Sequence, residues 1–292
     1  MNSTLILKNV NKEYEKSNFA IKDISFLVPE GSIVGFIGEN GAGKSTTMNC
    51  ILNVIRRDSG TIEIFGREMT DEDIDIRENI GVVYDSNNFP EYLTARQLAD
   101  ILGRIYSKWD DFCFEQFLRR FGLPESQRIK TYSRGMSMKL AIAVALSHDS
   151  KLLILDEATS GLDPIMRDEI LDVLLEFVKQ ENHSILLSSH ITSDLEKIAD
   201  YIVFIHNGEI ILNKTKDELI YEYGVIRCSE NDFHNILSED ILSSMKKDYQ
   251  IDVLIKNRKL IEKKYKNLIV DSVSLDEIML LLVKGERNAR ID

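Results

Sequence analysis

The sequence predicts an α/β fold: a mostly parallel sheet flanked by helices, with a helical insertion and a small C-terminal α+β appendage. Three observations predict it. Apolar runs at residues 33–37, 152–155 and 184–187 are continuous rather than alternating, as in strands buried on both faces. Helix-like segments alternate with them, which implies crossover connections and parallel pairing. Beyond about Lys214 the chain becomes dense in Lys and Glu and its apolar runs shorten.

The elements follow in order. Residues 4–10 and 20–28 read as strands, joined through the turn-like Asn11, Ser17 and Asn18. Tyr14 lies in that connection; its ring suits stacking on an adenine, and a core or surface tyrosine fits the position equally well. Residues 33–37 form a buried strand, and a helix runs from Lys44 to about Val54. Asp58-Ser-Gly60 breaks the chain, residues 61–65 alternate as a strand, and Gly66 ends it. Residues 71–78 are acidic and helix-like, 80–84 return to a strand, and 85–90 are a polar loop.

From Thr94 to about His148 the pattern is helical. Thr94 caps a helix reaching Ile105; Phe112, Phe114, Phe117, Leu118 and Phe121 mark a second, stopped by Gly122 and Pro124; residues 133–146 carry a third. These aromatic residues read as core. The strand at 152–155 resumes the sheet. Pro164 opens a helix to Lys179, 184–187 is a strand, 193–199 a short helix, and His206-Asn207-Gly208 turns a hairpin between 201–205 and 209–212. The expected units are therefore residues 1–214, with a helical part at about 90–148, and residues 215–292. In the second unit, apolar runs lie at 225–226, 251–255 and 268–270, and a last helix at 275–283; the basic run 256–266 reads as a solvated face.

Between the strand at 33–37 and the helix after it stands Gly38-Glu-Asn-Gly-Ala-Gly-Lys-Ser-Thr46, a match to G-x-x-x-x-G-K-[ST]. Glycines let the backbone approach phosphates and turn its N–H groups inward. The helix start adds unpaired N–H donors and a positive dipole end. Gly38, Asn40, Gly41, Ala42, Gly43, Lys44, Ser45 and Thr46 are thus candidate contacts to a nucleoside triphosphate. Lys44 would reach the β- and γ-phosphates and the Ser45 hydroxyl would hold Mg²⁺. A second constellation is the apolar strand ending in Asp156-Glu157, with Asp156 suited to the Mg²⁺ shell and Glu157 to the attacking water. His190 ends another apolar strand, on the sheet edge where ligands bind. A solvent-facing acid pair and a bare glycine turn are the bland readings, and their coincidence in one chain argues against both.

The full order is that glycine loop, Tyr132-Ser-Arg-Gly-Met136, Asp156-Glu157, Ser160-Gly-Leu-Asp163 and His190. It resembles the nucleotide-binding subunit of an ABC transporter over about residues 4–215. The resemblance implies a P-loop NTPase (RecA-like) core, an antiparallel β subdomain and a helical signature subdomain. It makes Tyr14 the adenine-stacking aromatic, Ser133 and Gly135 grips on a γ-phosphate, Asp163 a residue crossing the dimer interface, and Glu157 and His190 the catalytic pair. It implies an ATPase in a head-to-tail homodimer or heterodimer, sandwiching ATP and driving an integral-membrane permease from the cytoplasmic face. The Ser-Arg-Gly-Met-Ser-Met form resembles ABC-2-type exporters of Gram-positive bacteria, which handle peptides, antibiotics and lipids.

Three residues depart from the family pattern. Asp85 stands where a Gln is usual; its carboxylate can still touch Mg²⁺ or its water, with a shorter reach. Arg134 replaces a signature glycine, and Ala158 replaces a proline.

Composition bounds the alternatives. The 292 residues carry 48 acidic and 36 basic side chains, a net charge of −12, a poor balance for binding nucleic acid. Cys50, Cys113 and Cys228 are far apart and read as small hydrophobes. The first ten residues alternate rather than form a leader, and no apolar run approaches the roughly 18 residues of a membrane span. A soluble chain is expected, reaching the membrane through a partner. The alternative is a soluble non-transport ABC ATPase acting on ribosomes, DNA or a cluster scaffold. A guanine-reading N-K-x-D after a strand is missing, which disfavours a GTPase.

Overall fold

The computed structural model describes residues 2–14, 19–70, 72–85 and 89–287. Ser17, Asn18, Asp71, residues 86–88 of the polar loop and residues 288–292 lie outside the described residues.

The first half contains β1 (Ser3–Glu13), β2 (Ala20–Pro29), β3 (Ile33–Ile37), α1 (Lys44–Ile51), β4 (Ser59–Ile64), β5 (Arg67–Glu68), α2 (Ile74–Glu78), β6 (Ile80–Val83), α3 (Ala95–Leu102), α4 (Asp111–Arg120) and α5 (Arg134–Leu146). The core continues with β7 (Leu152–Asp156), α6 (Pro164–Val178), β8 (Ser184–Ser189), α7 (Thr192–Ile198), β9 (Tyr201–His206) and β10 (Glu209–Thr215). The remainder holds α8 (Lys216–Glu222), β11 (Gly224–Cys228), α9 (Glu230–Phe233), β12 (Ser243–Lys246), β13 (Ile251–Ile255), α10 (Arg258–Lys264), β14 (Val270–Asp271), α11 (Leu275–Lys284) and β15 (Glu286–Arg287).

Three sheets result. The central one runs β10-β9-β3-β8-β7-β6, parallel except for the β9–β10 hairpin. Its strands feed two cores. Ile33, Ile37, Leu153 and Leu155 pack toward α5 and α6, whereas Val34, Phe36, Leu152 and Ile154 pack toward β1, β2 and α1. Burial on both faces is why these runs are apolar without alternation. The second sheet, β2-β1-β4-β5, is antiparallel, as the resemblance implied. The third, β14-β11-β13-β12-β15, is drawn wholly from residues 224–287.

Local chemistry sets the boundaries. Helix α1 stops at Ile51 rather than near Val54, because Asn53 turns left-handed (φ 54°) and leaves Val54 exposed. Strand β1 runs past Val10 to Glu13 through an irregular register at Asn9, which has φ 49°. Thr94 forms a capping box with Gln97, yet α3 ends at Leu102, short of Ile105. Ser133, Asp163 and Ser274 cap α5, α6 and α11 through their side chains.

The basic run is more than a solvated face. It folds as α10 around buried Ile261, Lys264 lies 2.6 Å from Asp240 in an ion pair, and Lys256 bridges to Glu218 at 2.8 Å. The C-terminal region also packs onto the core. Tyr223, Val225, Leu254, Leu275, Ile278, Leu281 and Leu282 join the same buried cluster as α5 and α6. Burial, and then the Glu218 and Glu222 carboxylates, push the Tyr223 phenol up to about 12.

Candidate functional site

The glycine loop spans the C-terminal end of β3 and the start of α1. Gly41 (φ 82°) and Gly43 (φ 119°) adopt backbone conformations that favour glycine. Gly38 is required for another reason: a Cβ there would sit 2.6 Å from the Ile205 carbonyl oxygen. The Lys44 side chain is buried across the loop. Its Nζ donates to the Gly38 carbonyl at 2.7 Å and the Glu39 carbonyl at 3.3 Å, and lies 3.3 Å from Glu157 Oε1. Thr47 closes the first turn of α1 by donating to the Gly43 carbonyl at 2.9 Å.

The ends of β7 and β8 supply the acids. Asp156 is held from both sides: Ser45 Oγ donates to Oδ2 at 2.8 Å and Ser188 Oγ donates to Oδ1 at 2.6 Å. Glu157 takes a left-handed backbone conformation (φ 54°), costly for a residue with a Cβ. Its N–H donates to the Ser188 carbonyl at 3.2 Å, which fixes the turn. Oε2 lies 2.5 Å from His190 Nδ1, and the buried Oε1 makes no hydrogen bond among the described residues.

These groups border one cavity of about 780 Å³, lined by Tyr14, Phe19, Glu39, the loop from Asn40 to Thr46 except Ala42, Asp85, Asp156 and Glu157. Most of the expected residues therefore meet. Gly38 and Ala42 do not line the cavity; they shape the loop from behind, Ala42 by accepting the Gly208 N–H at 2.9 Å. His190 reaches the site through Glu157. Ser133, Gly135 and Asp163 lie outside this cavity. Ser133 accepts the Met136 N–H, and Asp163 accepts those of Ile165 and Met166, so both serve as helix caps within their own chain. Gly135 sits close under Met166, so a Cβ there, 2.5 Å from Sδ, would require that flexible side chain to move. Asp85 borders the cavity, but its carboxylate forms an ion pair with Arg134 rather than joining Ser45 and Asp156.

Sequence reasoning missed three contributors. Phe19 faces the loop beside Tyr14, their ring centroids 6.5 Å apart; no spacing rule marks it. Glu39 occupies an unspecified position of the motif. Ser188 orients Asp156, and its signal was available: a polar residue at the end of an otherwise buried strand needs a partner. Tyr84 stands nearby, its phenol pushed up by burial and then by the Asp156 carboxylate.

The donor set fits Mg²⁺. No cluster of three or more His, Cys, Asp or Glu able to hold a metal occurs among the described residues. Ser45 and Asp156 offer one hydroxyl and one carboxylate, hard oxygen donors 2.8 Å apart. Mg²⁺ is bound in this way, through one or two carboxylates plus substrate phosphates.

Strand, glycine loop, helix and an acid-tipped neighbouring strand define a P-loop nucleoside-triphosphatase. A family model described as ABC transporter matches residues 21–160. The bacitracin transport ATP-binding protein BcrA of Bacillus licheniformis is 35% identical over 211 residues, covering 72% of this chain and 69% of the relative. The lantibiotic transport ATP-binding protein SrtF of Streptococcus pyogenes is 35% identical over 219 residues, covering 73% of this chain and 91% of the relative. A solved structure titled as the ATP binding subunit of an ABC transporter superposes with a TM-score of 0.68 at 30% identity, covering 74% of this chain and 92% of that one. The chain belongs to the ABC transporter family. It is an ATP-hydrolysing subunit that powers membrane transport, and nothing among these relatives favours a soluble non-transport ATPase. No helix among the described residues is long and apolar enough to cross a membrane.

Proposed function

We propose that this chain drives an exporter of peptide, antibiotic or lipid-like cargo, as one half of an ATP-sandwich dimer on the cytoplasmic face of the membrane. The carrying observation is the division of the motifs. One chain holds Lys44, Asp156 and Glu157 around a nucleotide cavity, while the exposed Ser133 and Asp163, with the buried Gly135 beside Ser133, lie outside it. A second nucleotide-binding subunit, identical or homologous, would complete each site. Lys44 would exchange its carbonyl partners and its ion pair with Glu157 Oε1 for phosphate oxygens, and the Oε1 so released would accept a proton from the attacking water, with His190 fixing the other oxygen. Mg²⁺ held by Ser45 and Asp156 would neutralise phosphate charge. Loss of the γ-phosphate would open the dimer.

The integral-membrane permease would dock where the loop after β6 meets the helical insertion. A groove of about 370 Å³ lies there, lined by Tyr84, Glu91, Lys130, Tyr132 and Ser137 among others. Phe89 and Tyr92 flank this loop but do not line the groove: Phe89 packs on the core, and Tyr92 is 71% exposed beside Glu91. We further propose residues 1–214 as the ATP-binding domain and 215–292 as an accessory region steadying α7 through α11. The names of the bacitracin and lantibiotic transport relatives support the cargo class. Within that class, the staphylococcal exporter of phenol-soluble modulins is the candidate system, testable by stimulation of the reconstituted complex with amphipathic peptides.

The test is size-exclusion chromatography with light scattering on the wild-type chain and Glu157→Gln, with Mg·ATP. A non-hydrolysing variant that forms a stable ATP-dependent dimer supports the reading. A variant that hydrolyses normally, or that stays monomeric with saturating ATP, overturns it for two copies of this chain.

A further inference from the structure

Two departures from the family pattern meet in space. Arg134, the residue after the α5 cap, donates through Nη2 to Asp85 Oδ1, although the two are 49 positions apart. The guanidinium lies against Gly161: a Cβ there would be 3.0 Å from Nη1 and 3.1 Å from Cζ. Arg134 therefore bridges the loop after β6 and the turn before α6. Both paired side chains are about half exposed.

We propose that Asp85 latches Arg134 in the free chain, and that Arg134 transfers to the triphosphate held by a second copy when the ATP sandwich forms. This rests on the dimer reading above. Arg134 lies between Ser133 and Gly135, the residues assigned there to the second copy's γ-phosphate, so its backbone is brought beside that nucleotide and its long, half-exposed side chain is within reach of the phosphates once it leaves Asp85. An exposed ion pair biases a population only about two- to fivefold, so the latch is weak enough to open. A triphosphate carries more charge than one carboxylate and accepts guanidinium in bidentate fashion, so it wins the competition. The signature loop thereby gains a cation where a glycine offers only backbone. Asp85 prevents that cation from being spent elsewhere before ATP arrives.

The latch and a merely structural cross-link predict different signs. The ATP concentration that half-dimerises the Glu157→Gln chain is measured by light scattering, with Asp85→Asn and Arg134→Ala added singly and together. Freeing Arg134 with Asp85→Asn should lower that midpoint about two- to fivefold. Arg134→Ala should raise it about tenfold, by loss of a charge-assisted contact. The Asp85→Asn gain should vanish in the Arg134→Ala background. Shifts of the two single variants in the same direction, or a gain that survives without Arg134, overturn the latch while leaving the dimer reading intact. Dimerisation that ignores ATP, or that persists in Lys44→Ala, overturns the underlying nucleotide-site reading instead.

Discussion

Glu157 Oε2 and His190 Nδ1 lie 2.5 Å apart, each just beyond the end of its strand, with Lys44 Nζ 3.3 Å from the other Glu157 oxygen. The carboxylate is thus clamped between two cationic or donor groups on a strained backbone, φ 54°. A residue held so tightly against its conformational preference is placed for chemistry rather than stability. Glu157→Gln keeps the shape and removes the base. Single-turnover hydrolysis should fall about 10²–10⁴-fold with ATP binding retained. His190→Ala should cost less, because Ser188 still fixes the Glu157 backbone.

The two aromatic residues of the cavity give a second prediction. Tyr14 and Phe19 flank the loop, and stacking on a base is worth about 1–3 kcal/mol by alanine substitution. Tyr14→Ala should raise the Kd for ATP by about 5- to 100-fold, while Tyr14→Phe should leave it unchanged, since the ring face does the binding. Equilibrium titration with ATP and GTP reads this directly; equal Kd values for Tyr14→Ala and wild type would assign the base to Phe19.

How much of this was legible in the chain varies by element. The glycine loop, the acid-tipped strand β7 and the helix cap Thr94 were readable, because each is specified by contiguous residues whose chemistry is local. The short polar strand β12 and helix α10 were not. Ser243–Lys246 carries no apolar pattern and becomes a strand only by pairing with β13 and β15. The bulge at Asn9 and the Asp85–Arg134 pair depend on residues far apart in sequence, which no window along the chain compares.

A third prediction concerns how the signature helix sits on the sheet. Gly81 of β6 faces α5 so closely that a Cβ would lie 2.7 Å from the Ala145 carbonyl oxygen and 2.5 Å from Leu153 Cδ2. A helix carbonyl cannot swing aside as a side-chain tip can. Gly81→Ala should therefore destabilise the fold by about 1–3 kcal/mol, as overpacking does. A calorimetric Tm lowered by several degrees checks this; an unchanged Tm would mean that α5 shifts freely.

Tyr92 tests the permease surface. It is 71% exposed beside the groove residue Glu91, so a charge there costs the fold little. Tyr92→Glu should reduce transport by the reconstituted complex while basal ATPase of the isolated chain stays within about twofold. Parallel loss of both activities would place Tyr92 in the fold rather than at the docking surface.

The pH dependence of stability turns on His148. The ring is buried, stacks on Tyr106 at 4.1 Å between centroids, and its Nδ1 lies 3.1 Å from the Glu78 carbonyl. Burial holds its pKa below the usual imidazole value, against the opposing pull of the Glu78 carbonyl and the Asp149 and Glu78 charges. The folded chain therefore resists a proton that the unfolded chain takes up near pH 6.5. Stability from the neutral ring is fully present above that pH and is lost as pH falls from there through the lower folded value. His148→Phe keeps the stack and removes the titration, at a fixed cost for the unpaired Glu78 carbonyl. Urea unfolding of both proteins from pH 8 to 5 should show the wild-type advantage shrinking below about pH 6.5. A constant difference across that range would show that protonation of His148 is tolerated in place.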